Sequence, residues 1–323
     1  MTDIGQTSSH LDNVYIDPIL SDTHIKNNEN ENVHDHDQSP SSVYDLNSIS
    51  SDIEHSELYV VGDTMVYTIN GLFKICDLEK KQGIEIWSGK RWFRISIQPE
   101  KSSKKINKIT LCNGACLKCT DSQIWAIIEN NSTNESEHHH HKKIIPAATD
   151  SLEIDMRIPT FKLPDELTGD IVRNAYDVGK QIGKLFISKQ YFTSNTHVVL
   201  PPQIYKLCPQ SLGRFIAGWM DSQNGNIYGN YNVIHDLQLL LARLHIYVSY
   251  IIKKNTQYML EIPDKSNIPN PNNQIRKSNA KIKSNKLYID SIESIELNQK
   301  MYKIINLDPK TRTIVLDGVL AII

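Results

Sequence analysis

The chain has 323 residues, 39% of them hydrophobic, with 35 Lys and Arg against 37 Asp and Glu for a formal charge of −2. That is enough apolar sequence for one or two cores, and five cysteines without framework spacing exclude a disulfide scaffold. No run approaches the roughly 20 apolar residues of a membrane span, and Met1–Asp12 lacks a signal-peptide pattern, so the expectation is a soluble, intracellular protein with no membrane partner.

Residues 1–57 hold twelve acidic residues and one basic one, Lys26, so this segment carries −11 and the remaining 266 residues carry +9. Rich in Ser, Asn and His, the segment buries too little apolar surface to offset the entropy of ordering, and disorder is expected there. Its histidines, His10, His24, His34, His36 and His55, lack metal-site spacing. Order should begin near Leu58. Val60, Val61, Met65, Val66, Tyr67 and Ile69 mark short strands broken at Gly62-Asp63 and at Asn70-Gly71, and Asn-Gly between β-formers signals a tight hairpin. Cys112, Cys116 and Cys119 follow, but no second paired motif accompanies them, and strand alternation turns Cys116 and Cys119 to opposite faces, which argues against zinc. The run His138–His141 sits in a polar stretch expected to be a loop.

Leu212, Phe215, Ile216, Trp219 and Met220 recur at i, i+3, i+4, i+7 and i+8, one apolar helical stripe, with Ser211 placed as its cap. His235–Ile251 reads as a second helix and QYMLEI after it as a strand. A polar connection, 266–286, leads on. Between Ser249 and Tyr288 stand eight basic residues against two acids. The cluster Lys253, Lys254, Arg276, Lys277, Lys281, Lys283 and Lys286 could track phosphates of double-stranded DNA without sequence preference, or it is a solvated linker.

Three blocks carry a resemblance. GDTMVYTINGLFKICDL (62–78), ITLCNGACLKCTDSQIWAI (109–127) and the closing IDSIESIELNQKMYKIINLDPKTRTIVLDGVLAII (289–323) resemble the opening, second and final blocks of inteins, which have the Hint fold of protein splicing. IWSGKRW and DPKTRTIVLDGVL are most similar to inteins of ribonucleotide reductase large subunits. IAGWMDSQN (216–224) resembles the LAGLIDADG motif of homing endonucleases, and VGKQIGKL (178–185) resembles a first copy of it. The resemblance implies a mainly β Hint fold interrupted by an inserted α/β endonuclease remnant: a tail over 1–57, the Hint halves over 58–150 and 287–323, the endonuclease over 151–265 and the linker over 266–286.

The same resemblance implies where chemistry should sit. Splicing needs a Cys or Ser nucleophile at the position of Tyr59, a Thr-x-x-His at Thr120-Asp121-Ser122-Gln123, and a terminal Asn or Gln where Ile322 and Ile323 stand. Thr120 is retained; glutamine cannot exchange a proton near neutral pH. The endonuclease needs two acids for Mg²⁺, and Lys184 and Gln223 occupy their places. Asp221 lies two residues off and so on another helix face. Only residues 186–215 separate the two copies, too few to complete the first. The expectation is a stand-alone, degenerate intein-like protein, inactive in splicing and in DNA cleavage, without cofactor, Mg²⁺ entering only if endonuclease activity survives. The alternatives are an active LAGLIDADG endonuclease and a non-catalytic DNA-binding module.

Overall fold

Runs of β-branched and aromatic residues cut by turn residues fold as strands, because such side chains suit a half-buried pleated surface. In the computed structural model, which describes residues 58–323 apart from 82, 101–104, 130–142, 187–198, 270–285, 296–299 and 309, the chain opens with ten of them. These are β1 (Leu58–Val61), β2 (Met65–Thr68), β3 (Gly71–Lys74), β4 (Ile84–Trp87), β5 (Trp92–Glu100), β6 (Ile106–Leu111), β7 (Cys116–Thr120), β8 (Ile124–Ile128), β9 (Ile144–Ala148) and β10 (Arg157–Ile158), with a single helical turn α1 (Ile75–Leu78) after β3. A helical unit follows: α2 (Ala175–Leu185), α3 (Pro209–Ser222), β11 (Ile227–Gly229), α4 (Tyr231–Leu241), β12 (Tyr250–Lys254) and β13 (Gln257–Glu261). The chain then returns as β14 (Leu287–Ile295), β15 (Met301–Asn306), β16 (Thr313–Leu316) and β17 (Val319–Ile322). The expected tail, His138–His141, and Arg276, Lys277, Lys281 and Lys283 lie outside the described residues.

Apart from β11, β13 and β12, which form a small sheet in that order, the strands make one 14-stranded sheet. Its order is β10-β14-β6-β7-β1-β15-β5-β4-β2-β16-β17-β8-β9, with β3 paired to β2 off this path, and a bridge from Arg157 to Ile128 joins β10 to β8, so the sheet closes on itself. The last four strands interleave with the first ten: β14 lies on β6, β15 between β1 and β5, β16 on β2, β17 on β8. Residues 287–323 therefore complete a core that residues 58–158 cannot close alone. The helical unit leaves and re-enters at one point, since Ile158 faces Leu287 across the β10–β14 pair.

Three expectations are corrected. The first hairpin has its two-residue loop at Ile69-Asn70, and Gly71 pairs with Thr68. Gly71 has φ of 152°, and a Cβ there would overlap the Tyr205 carbonyl oxygen, so the glycine serves a close approach. Ser211 does not cap α3: Cys208 does, with Pro209 in the first turn, where its missing N–H costs nothing. The buried Ser211 hydroxyl instead accepts from the Val172 N–H at 2.9 Å. The helix expected over His235–Ile251 runs earlier, from an Asn230 cap whose Oδ1 accepts the Val233 N–H, and its final 3-10 turn ends at Leu244. His245 then turns the chain with φ of 57°, and the β-rich YIIKK pairs with β13 as strand β12. Among the described residues no helix is long and apolar enough to cross a membrane.

Candidate functional site

The positions expected to carry splicing chemistry lie beside paired strand residues. Val60 of β1 faces Cys119 of β7, and Ile322 of β17 faces Ile124 of β8. Tyr59 precedes Val60, Thr120 and Gln123 flank the Asp121-Ser122 turn, and Ile323 follows Ile322. Tyr59, Thr120, Gln123 and Ile323 are all buried. Tyr59 packs with Val61, Ile106 and Met301, and the Lys303 ammonium lies 5.9 Å from its ring centroid. The Thr120 hydroxyl is 3.4 Å from that of Ser122. Ile322 is core, and the Ile323 N–H donates to the Arg312 carbonyl at 3.0 Å.

Gln123 is 3% exposed, and its side-chain oxygen and nitrogen both lack a hydrogen-bond partner among the described residues. Each unpaired buried group costs about 1–3 kcal/mol, so the amide is a cost to the fold. The nearby thiol offers no replacement nucleophile: burial pushes Cys119 up to about 11, against hydrogen bonds from Thr149 and Trp125, and it stays protonated at neutral pH. The arrangement can hold strand ends together and form hydrogen bonds.

The second constellation is a helix pair. A Cβ at Gly179 of α2 would overlap the Phe215 carbonyl of α3, and one at Gly218 would overlap the Tyr176 carbonyl, while a Cβ at Gly183 would strike the Ser222 hydroxyl. Tyr176 to Phe215, Gly179 to Gly218 and Gly183 to Ser222 share one sequence offset, so the helices cross about a local two-fold axis at backbone contact. The same offset relates Lys184 to Gln223. Phe186 stacks on Trp219 at 5.2 Å beside the crossing.

At the helix ends the two related positions behave differently. Lys184 is exposed in the last turn of α2, a favourable place for a cation at a helix C-terminus. Gln223 is 4% exposed and acts as a peptide-group mimic. Its Nε2 donates to the Gly183 carbonyl at 2.7 Å and lies 3.4 Å from the Tyr228 carbonyl, and its Oε1 accepts the Tyr228 N–H at 2.5 Å. One carboxamide thus ties α2, α3 and β11. Asp221 accepts the Tyr176 hydroxyl at 2.9 Å. This donor set does not fit Mg²⁺: one position is a cation, the second is an amide already used, and the nearest acid is held by a phenol. Among the described residues no three His, Cys, Asp or Glu side chains are grouped for a metal. Cys119 is buried and Cys116 half-buried, on opposite faces of β7.

Of the basic cluster, Lys253 and Lys254 are exposed at the end of β12, and Lys286 is exposed just before β14. Sequence reasoning missed the polar groups buried between the helical unit and the large sheet. Arg243, with no exposed surface, donates to the carbonyls of Thr168 at 2.7 Å, Leu207 at 3.3 Å and Thr68 at 3.5 Å, and burial pulls it down to about 10. Asp317 forms the β16–β17 turn with Gly318, at φ of 46° and 78°. Its Oδ1 accepts the Met65 N–H at 2.7 Å, and its own N–H donates to the Met65 carbonyl. Burial pushes its carboxyl up to about 7, with Met65 and Lys118 opposing and Asp63 and Asp236 reinforcing. Burial, then Lys118, drives His235 down to about 4. Asp-Gly between β-formers and a lone Arg in LLLARLHI were the available signals.

The class defined so far is a mainly β protein whose closed sheet is interrupted by one helical unit. The solved structures similar to it include inteins, proteins of the Hint fold. A variant of the Ssp DnaB mini-intein is 10% identical with a TM-score of 0.36, over 84% of this chain and 96% of that one. The Pab PolII intein is 9% identical with a TM-score of 0.31, over 81% and 98%, and the gp41-1 intein 18% with 0.24, over 32% and 69%. A curated relative, the ribonucleoside-diphosphate reductase large subunit of Invertebrate iridescent virus 6, is 32% identical over 78 residues, which are 24% of this chain. The chain spans 8% of that relative's length. No family model matches the chain.

Proposed function

We propose that the chain is a degenerate intein-like protein, of the kind found in ribonucleotide reductase large subunits, that performs neither splicing nor DNA cleavage. The observation that supports this reading is the burial of Tyr59, Gln123 and Ile323 at the positions where the resemblance calls for splicing groups. Their side chains offer no nucleophile and no proton donor for that chemistry. The experiment is an intact-mass measurement of the purified chain after prolonged incubation with a thiol. The chain should keep its full mass; a fragment beginning near residue 59 would overturn the reading.

The α2–α3 pair supports the same conclusion for the helical unit, which we take as the remnant of a LAGLIDADG endonuclease. Neither Mg²⁺ nor Mn²⁺ should support cleavage of DNA, and specific cutting of an intein-less ribonucleotide reductase gene would refute this. The exposed pair Lys253 and Lys254 favours a residual activity without chemistry, the non-specific binding of double-stranded DNA.

A further inference from the structure

A cavity of about 60 Å³, open on one side, lies between the helical unit and the large sheet. Its walls combine two kinds of group. Tyr67, Phe161 and Tyr247 line it as a row of rings with centroids 5.5 Å and 5.9 Å apart. Their hydroxyls are engaged elsewhere, Tyr67 donating to the Leu239 carbonyl and Tyr247 accepting the Leu163 N–H, so the rings offer the cavity π surface.

Beyond the two tyrosines, the polar side chains of the lining are those of Asn113, Thr160, Gln238, Ser249 and Asp317. Gln238 is nine-tenths buried, and its Nε2 is spent on the carbonyls of Ser249 at 3.0 Å and Asn113 at 3.3 Å. That fixes the amide and leaves Oε1 buried with no partner among the described residues. Asp317, also nine-tenths buried, gives Oδ1 to Met65 and lines the cavity. No Lys, Arg or His lines the space.

We propose that this cavity binds a small organic ammonium ion. A carboxylate, an unpaired amide oxygen and aromatic faces complement a cation with N–H donors and an apolar body. At about 10–15 Å³ per water-sized group, the space holds about four such groups, the size of propylammonium and far below a nucleotide. A bare metal ion is disfavoured, since hard cations take six or more oxygen ligands and Asp317 is the one carboxylate among the described residues of the lining.

The charges acting on Asp317 are Asp63 and Asp236, which hold its proton on, and Lys118, which opposes them. Binding should therefore strengthen as pH rises and the carboxyl ionises, the reverse of what a neutral ligand would show. The test is calorimetric titration of the full chain with propylammonium chloride at pH 8.5 and pH 5.5, with 1-propanol as the neutral isostere. Expected are a Kd of about 0.1–10 mM at pH 8.5, within the affinity ceiling for so few atoms, at least about tenfold weaker binding at pH 5.5, and no measurable binding of propanol. Asp317→Asn, whose side-chain oxygen still accepts from Met65, should weaken binding about tenfold or more. If that variant does not fold, amide-shift mapping on the native chain decides, with perturbations expected around Gln238 and Asp317. Absence of saturable binding at pH 8.5, equal affinity for propanol, or shifts confined to other regions would each overturn the proposal.

Discussion

Gln223→Glu changes one atom at the helix crossing and tests why an amide stands where an acid was expected. Glutamate keeps the oxygen that accepts from Tyr228 at 2.5 Å but loses the donor that reaches Gly183 at 2.7 Å, and it turns a second oxygen toward the carbonyls of Gly183 and Tyr228. A lost buried hydrogen bond with an unsatisfied carbonyl costs about 1–3 kcal/mol, and an uncompensated buried charge raises the total to about 3–5 kcal/mol. The new carboxyl, 4% exposed by position, should titrate above its unfolded value of about 4.3. A folded value above the unfolded one means the protonated form is favoured by folding, so the variant approaches wild type at low pH and loses stability as pH rises through the folded value. Urea unfolding followed by tryptophan fluorescence at pH 5 and pH 8 measures both points, with Gln223→Met as a pH-independent control. A Gln223→Glu variant within about 0.5 kcal/mol of wild type at pH 8 would refute the bridging role. Stabilisation of that variant by millimolar Mg²⁺ would refute the statement that this site does not fit the metal.

Gly179→Ala and Gly218→Ala should each cost about 2–4 kcal/mol, because each added Cβ meets a carbonyl oxygen of the other helix, and the double variant should cost less than the sum, since one separation relieves both clashes; thermal unfolding measures this. Asp317→Asn should flatten the pH dependence of stability between pH 6 and 8. Burial pushes the native carboxyl up to about 7 from 3.8, so wild-type stability falls relative to the variant from about pH 4 to about pH 7, by about 4 kcal/mol in all at 1.36 kcal/mol per unit, of which about 1.4 kcal/mol falls between pH 6 and 8. Residual slope is expected from Asp236, which burial pushes up to about 6. Removing residues 1–57, which carry −11, should tighten DNA binding by the +9 remainder, most at low salt; equal binding of both forms in a salt titration would show that the acidic segment does not compete.

The β character and the paired helices were legible because their signals are local: short β-branched runs between turns, and an apolar stripe with glycine at matched positions. The pairings of β1 with β7 and of β17 with β8 were legible only through a resemblance, since no local pattern encodes which distant strands meet. The end of α4 was misplaced because LLLARLHIYVSYI is mostly apolar and holds no Gly or Pro, and the switch from helix to strand is made by pairing with β13 rather than by a breaker. Gln223 and Arg243 were illegible as structural residues because they bond backbone groups that no side-chain pattern marks, Gln223 to Tyr228 nearby and to Gly183 40 residues away, Arg243 to carbonyls 36 to 175 residues away.

The facing of Ile158 and Leu287 has a consequence for how the chain can be rearranged. Two residues opposite each other in an antiparallel pair lie about 5 Å apart, the span that a two-residue turn closes, so everything from 159 to 286 hangs from the large sheet as one oversized hairpin loop. Loop-closure entropy grows slowly with length, about 0.6 kcal/mol per doubling, so a unit could be gained or shed at this point with little penalty to the pairing itself. What resists its removal is surface. Tyr67, Leu72, Trp87, Val315 and Leu320 of the large sheet belong to the apolar cluster shared with the helical unit, and cutting the loop would lay them open to water. The guest is cheap to thread and expensive to evict.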